Sequence, residues 1–129
     1  MYQRKIPKAY YCTVDYALDI FGGKWKPRLL CILAHEGRMR YGDLKESMGN
    51  ISDAALANSL KELRQQGIIQ RQQYNQMPIK VEYSLTKTGQ SLIPVLNTIS
   101  DWAVAHSSVN LFSGMHFERA HRQQFKNHE

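Results

Sequence analysis

Apolar residues recur along this chain with two different periods, and the change of period marks its architecture. In ISDAALANSLKELRQQGIIQ (51–70), Leu56, Leu60 and Leu63 fall at i, i+4 and i+7, the seam of a helix packed on a core. Ser52 stands where a cap belongs, and Gly67 closes the helix. Upstream, Thr13 is placed to cap a short helix to about Phe21, with Val14, Ala17, Leu18 and Phe21 on one side. Gly22-Gly23 then breaks the chain, and Lys26-Pro27 suits a new first turn, where proline lacks only an N–H that has no helical partner. RLLCILAHEG carries a second, largely buried helix ended by Gly37, RMRY (38–41) pairs as a small strand, and GDLKESM (42–48) forms a third helix with Leu44 and Met48 inward. After Gly67 the period falls to two: IIQRQQY (68–74) and KVEYSL (80–85) read as strands joined by NQMP. Thr86 or Thr88 then caps a last long helix. That helix has one stripe of Leu92, Leu96, Ile99 and Ala103 and another of Val95, Ile99 and Trp102, more than its own core needs, so it calls for a second partner.

A short helix turning tightly into a second helix is a helix-turn-helix, and the hairpin after it is a wing. The expected fold class is therefore mainly α with a small β-hairpin (α+β), a winged helix-turn-helix. Leu44, Met48, Ile51, Leu56, Leu60 and Leu63 lock the helix pair, which leaves Ser52, Asp53, Ala54, Ala57, Asn58 and Lys61 facing outward. A helix fits the DNA major groove with its N-terminal residues nearest the base edges, and small residues there let it sit deep. The plain alternative is a helical hairpin that binds nothing. The wing favours DNA, because Arg71, Gln73 and Lys80 flank its tip, where basic side chains reach phosphate or the minor groove, while Arg38 and Arg40 precede the helix pair as a backbone clamp.

Composition agrees without deciding the matter. The 129 residues suit one domain, and 17 Lys and Arg against 11 Asp and Glu give a net charge of +6 that favours a polyanionic partner. The longest apolar run, Leu29 to Ala34, is far short of the ~20 residues needed to span a bilayer, and no secretory signal is visible, so a cytoplasmic protein with reduced thiols and no membrane partner is expected. Residues 1–11, with Arg4, Lys5, Lys8, Tyr10 and Tyr11, form a basic, aromatic arm; 12–105 form the winged domain with its dimerisation helices; 106–129 form a C-terminal extension, with a short helix around Met115–Phe125 whose Arg119, Arg122 and Lys126 read as a solvated face.

ALDIFGGKWKPRLLCIL, MRYGDLKESMGNISDAALANSLKELRQQGII and MPIKVEYSLTKTGQSLIPVLNTISDWA, over residues 10–105, resemble the HxlR family of MarR-like bacterial transcriptional regulators. GGKW (22–25), the IS…L…L..L spacing (51–63) and VEYSLT (81–86) carry the resemblance. It implies a homodimer built by the first and last helices, whose reading heads meet successive major grooves of a palindromic double-stranded operator. Val95, Ile99 and Trp102 would then lie at the twofold. Members of the family usually carry polar or basic residues just after the capping serine, where this chain has Asp53 and Ala54. A carboxylate is repelled by phosphates yet accepts a hydrogen bond from cytosine N4, and Asn58 is suited to adenine, so the operator is expected to differ from those of relatives.

Cys12 matches an N-terminal cysteine that senses quinones, aldehydes or oxidants in several members. It stands at a helix start near Lys8, and both a helix N-terminus and a cation favour the reactive thiolate. The other reading makes it a small packing residue, the role its setting in LLCIL gives Cys31. Modification of Cys12 would shift the dimer helices, change the spacing of the reading heads, and weaken or reset operator binding. His35, His106, His116, His121 and His128 are scattered without ligand spacing, and no phosphate loop, nucleophile–base pair or carboxylate dyad is visible, so neither a metal, a cofactor nor an enzyme is expected. The rival functions are a winged-helix regulator answering a non-covalent ligand or none, and a winged-helix module whose basic face binds protein.

Overall fold

The computed structural model describes residues 9–107, and the statements below concern those residues. Along them run α1 (Thr13–Phe21), α2 (Lys26–Glu36), α3 (Tyr41–Met48), α4 (Asp53–Gln65), β1 (Ile69–Tyr74), β2 (Lys80–Leu85), α5 (Lys87–Gln90) and α6 (Ile93–Ala105). Expectations for Arg4, Lys5 and Lys8, for the helix at Met115–Phe125 with its basic face, and for His116, His121 and His128 fall outside the described residues.

The core centres on α2. Leu29, Leu30, Ile32, Leu33 and Ala34 are buried, so this helix is covered on several sides, by α3, β2 and α6 among others. Pro27 sits in its first turn, and Gly37 ends it with a φ of 89° that disfavours any residue with a Cβ. Leu44 and Met48 of α3, Ile51 of the turn, and Leu56, Leu60 and Leu63 of α4 are buried in the same core. Each such aliphatic side chain contributes about 1.5–3 kcal/mol on leaving water. Helix α4 ends with Ile68 N–H bonded to the Leu63 carbonyl (2.9 Å) around Gly67 at φ 74°, the glycine-closed terminus its sequence asks for.

The hairpin is antiparallel, with Ile69 opposite Leu85, Arg71 opposite Tyr83 and Tyr74 opposite Lys80. The small strand expected at 38–41 is reduced to one bridge, in which Met39 and Tyr83 exchange backbone hydrogen bonds of 3.0 and 2.8 Å, because α3 already begins at Tyr41. The result is a mainly α fold with a small β-hairpin, a winged helix-turn-helix.

Four local expectations are corrected. At α1 the capping position is Cys12, in extended backbone and without a side-chain cap; Thr13 is already helical. Phe21 is buried and Ala17 and Ile20 pack on the core, but Val14 and Leu18 are exposed by 60% and 49%, because the helix turns its Ala17, Ile20 and Phe21 face to the core and these two, four residues apart, lie on another. The last long helix is two helices. Thr86 caps α5, accepting from Gly89 N–H, and the chain turns at Ser91–Leu92 before α6, because Pro94 has no N–H to continue a helix and fits only a first turn. The buried line of α6 is Ile93, Leu96, Asn97 and Ser100, so Ile99 belongs only to the outer stripe. Cys31 is partly buried and packs against the core.

Candidate nucleic-acid interface

Ser52 Oγ accepts the Ala55 N–H at 3.1 Å and fixes where α4 begins. From that start, helical geometry turns Leu56, Ser59, Leu60 and Leu63 inward and leaves Ser52, Asp53, Ala54, Ala57, Asn58 and Lys61 exposed. The outward set expected from spacing is therefore one continuous face, starting at the helix N-terminus, whose unpaired N–H groups favour an anion. Asp53 is not left alone on it. Its Oδ1 accepts from the Tyr41 hydroxyl at 3.2 Å and lies 3.8 Å from Lys45 Nζ, both on the preceding helix.

The basic residues fall into distinct settings. Arg40, at the start of α3, and Lys61, on α4, are exposed, and no ion pair or side-chain hydrogen bond among the described residues holds either. Arg38 donates to the Tyr74 hydroxyl at 3.1 Å, and Lys80 lies 5.0 Å from the centre of the same ring and 3.5 Å from Glu82 Oε2. Arg71 donates to Gln73 at 3.3 Å. Strand alternation puts Arg71 and Gln73 on one face of the hairpin, and Tyr74 with Lys80 on the other. The wing thus carries positive charge on both faces, and its cations do not form a single cluster.

A further basic group, around Trp25, was missed by sequence reasoning. Lys24 Nζ lies 4.9 Å from the centre of the Trp25 ring and the Arg28 guanidinium 5.5 Å from it. Arg28 also donates to the Met48 carbonyl at 2.9 Å, which ties α2 to the turn between α3 and α4. Lys26 is occupied by Glu62 at 2.7 Å. The alternating cations of KWKPR were the available signal, but their approach to the turn is a tertiary contact.

On α6, Val95, Ile99 and Trp102 are exposed by 43%, 49% and 65%, and Trp102 stacks on His106 with ring centres 4.6 Å apart. Cys12 is an exposed free thiol at the start of α1. Tyr41 has its pKa raised above its usual value, first by partial burial and then by the Asp53 carboxylate that its hydroxyl bonds, so it remains a protonated donor. Among the described residues no three His, Cys, Asp or Glu side chains gather as metal ligands, and no helix is long and apolar enough to cross a membrane.

Known proteins resemble this chain in sequence and in fold. MalR of Fusobacterium mortiferum, named as a regulatory protein, is 45% identical over 93 residues, which cover 72% of this chain and 88% of MalR. The solved structure of the redox regulator HypR in its oxidized form superposes with a TM-score of 0.69 at 36% identity, over 76% of this chain and all of HypR's. The reduced form of the transcriptional regulator YodB from B. subtilis superposes at 0.66 with 30% identity, over 78% and 97%. The profile of the HxlR-like helix-turn-helix matches residues 20–110, and with that span, these identities and this fold, the chain belongs to the HxlR-like helix-turn-helix family.

Proposed function

We propose that the chain acts as a homodimeric, sequence-specific DNA-binding regulator of transcription whose DNA affinity answers to the state of Cys12. The carrying observation is the exposed face of α4, where small and polar side chains begin at a capped N-terminus and stand clear of the core. Ser52, Asp53, Ala54, Ala57 and Asn58 line the base edges in the major groove, and Arg38, Arg40, Lys61, Arg71 and Lys80 hold phosphates. The excess of positive charge across the chain draws it to the duplex from a distance.

Dimerisation uses the outer stripe of α6 (Val95, Ile99 and Trp102) with the exposed Val14 and Leu18 of α1. These apolar side chains are left in water by a single copy, and a second copy covers them by the same patch on both sides. Residues 1–11 act as an arm, 12–105 as the winged domain with its dimerisation helices, and 106–129 as an extension.

The thiol switch is supported by position and by likeness. Cys12 is exposed at the start of the helix that presents Val14 and Leu18, so an adduct or disulfide there alters the dimer seam and the spacing of the two α4 helices. HypR, named as a redox regulator, is one of the structural neighbours. A second reading, a regulator responding to a non-covalent ligand, draws on an open cleft of about 440 Å³ lined by His35, Arg38, Gln70, Ser84 and Gln90.

Duplex binding to the DNA upstream of the chain's own gene, followed by anisotropy at fixed salt, separates these. Reduced protein binds, and treatment with a quinone or a thiol oxidant changes affinity tenfold or more (about 1.4 kcal/mol) only while Cys12 is present, the response vanishing in Cys12→Ser. Tight binding indifferent to treatment leaves the DNA-binding reading standing and removes Cys12 as a switch.

A further inference from the structure

Asp53 is an acid in the place where a DNA-reading helix meets the bases, and its surroundings give it a specific use. We propose that Tyr41 and Lys45 are positioning residues that hold the Asp53 carboxylate in one orientation, so that Asp53 selects cytosine at one position of the bound duplex. This inference rests on the DNA-reading role proposed for α4.

The argument begins with the fixed side of the group. Tyr41 is partly buried and packs against the core, so its ring is set by α3, and its hydroxyl reaches both Asp53 Oδ1 (3.2 Å) and the Asp53 carbonyl oxygen (3.3 Å). Lys45, one turn further along α3, approaches the same Oδ1 at 3.8 Å. One oxygen is therefore held from the side of α3, while Oδ2 has no hydrogen bond among the described residues and is left to a ligand. The helix start does not need this carboxylate as a cap, because Ser52 already fills that role.

Charge sets the next constraint. A lone carboxylate among phosphates is repelled, whereas paired with Lys45 it carries no net charge into the groove. So exposed an ion pair adds little to stability, which leaves charge balance and orientation as its effect. Base chemistry then makes the choice. An ionised carboxylate only accepts hydrogen bonds. In the major groove guanine offers the acceptors O6 and N7, thymine the acceptor O4, and adenine a donor beside the acceptor N7; cytosine offers the N4 amino donor and no acceptor of its own.

The test selects duplexes from a random library with the unmodified protein. Affinities are then measured for the preferred duplex, for single-base changes at each position, and for an unrelated duplex. The expected result is one position per half-site at which cytosine is preferred tenfold or more, about 1.4 kcal/mol. In Asp53→Ala that preference falls below about threefold while preferences elsewhere persist. Tyr41→Phe keeps the packed ring and removes only the hydroxyl. It should lower the cytosine preference by about threefold or more while binding to the unrelated duplex stays within about twofold, which lost stability alone would not produce. Selective binding with no cytosine position, a preference that survives Asp53→Ala, or a uniform loss across duplexes in Tyr41→Phe overturns this inference and leaves the DNA-reading role intact. Absence of duplex binding by the unmodified protein overturns both.

Discussion

A hydrogen in place of a methyl group decides the packing at Gly89. A Cβ there would stand 2.1 Å from the Ile68 carbonyl oxygen, a backbone atom held by Thr86, whose N–H and hydroxyl both donate to it at 3.0 Å. Since that oxygen cannot swing aside as a side chain would, Gly89→Ala forces the start of the hairpin and α5 apart. The expected loss is about 1–3 kcal/mol, read as a melting temperature lowered by about 4 °C or more; unchanged melting would mean that this junction yields freely. Nothing in the local pattern of TKTGQ announces this constraint, because the atom that closes the space lies in another element. Asp53 carries the same lesson: its acidity and outward direction were legible in the spacing of Leu56, Leu60 and Leu63, but the pairing with Tyr41 and Lys45 depends on how α3 lies against α4.

Among the elements, those with a strong period and clear end signals were legible before any coordinates. Helix α4 has both, with Ser52 in front and Gly67 behind, and the hairpin has alternation on either side of a turn-forming stretch. The single helix expected after Thr86 or Thr88 is divided into α5 and α6, and the missing N–H of Pro94 is the local signal for the new start. Alternation within each strand could not relate Arg71 to Lys80, which lie on different strands; the register of the hairpin puts them on opposite faces. The outer stripe of α6 lies outside the core, with Trp102 65% exposed. If that stripe joins two copies, Ile99→Asp leaves the half-exposed site in a folded chain but introduces a charge into the seam. Sedimentation at micromolar concentration should give twice the 14.9 kDa of one chain for the unmodified protein and a single chain's mass for Ile99→Asp; equal masses for the two proteins would remove α6 from the proposed seam.

At the scale of the whole molecule, the proposed function joins a reading face on α4 to cations on both faces of the wing, at the start of α3 and around Trp25. The twofold proposed for α1 and α6 doubles this set. Such a molecule exchanges condensed counterions for its own charges when it binds a duplex, whatever the bases are. A basic protein-binding module has no reason to do so on DNA. The most direct test of the account is therefore the affinity of the reduced, unmodified protein for a selected duplex, measured as salt is raised from about 50 to about 200 mM. With about 6–10 phosphate contacts across the dimer, affinity should fall by ~10³–10⁵ over that range, along a straight line in log affinity against log salt. Binding that is absent, or that weakens less than about tenfold over the same range, would contradict the assignment of this basic surface to DNA.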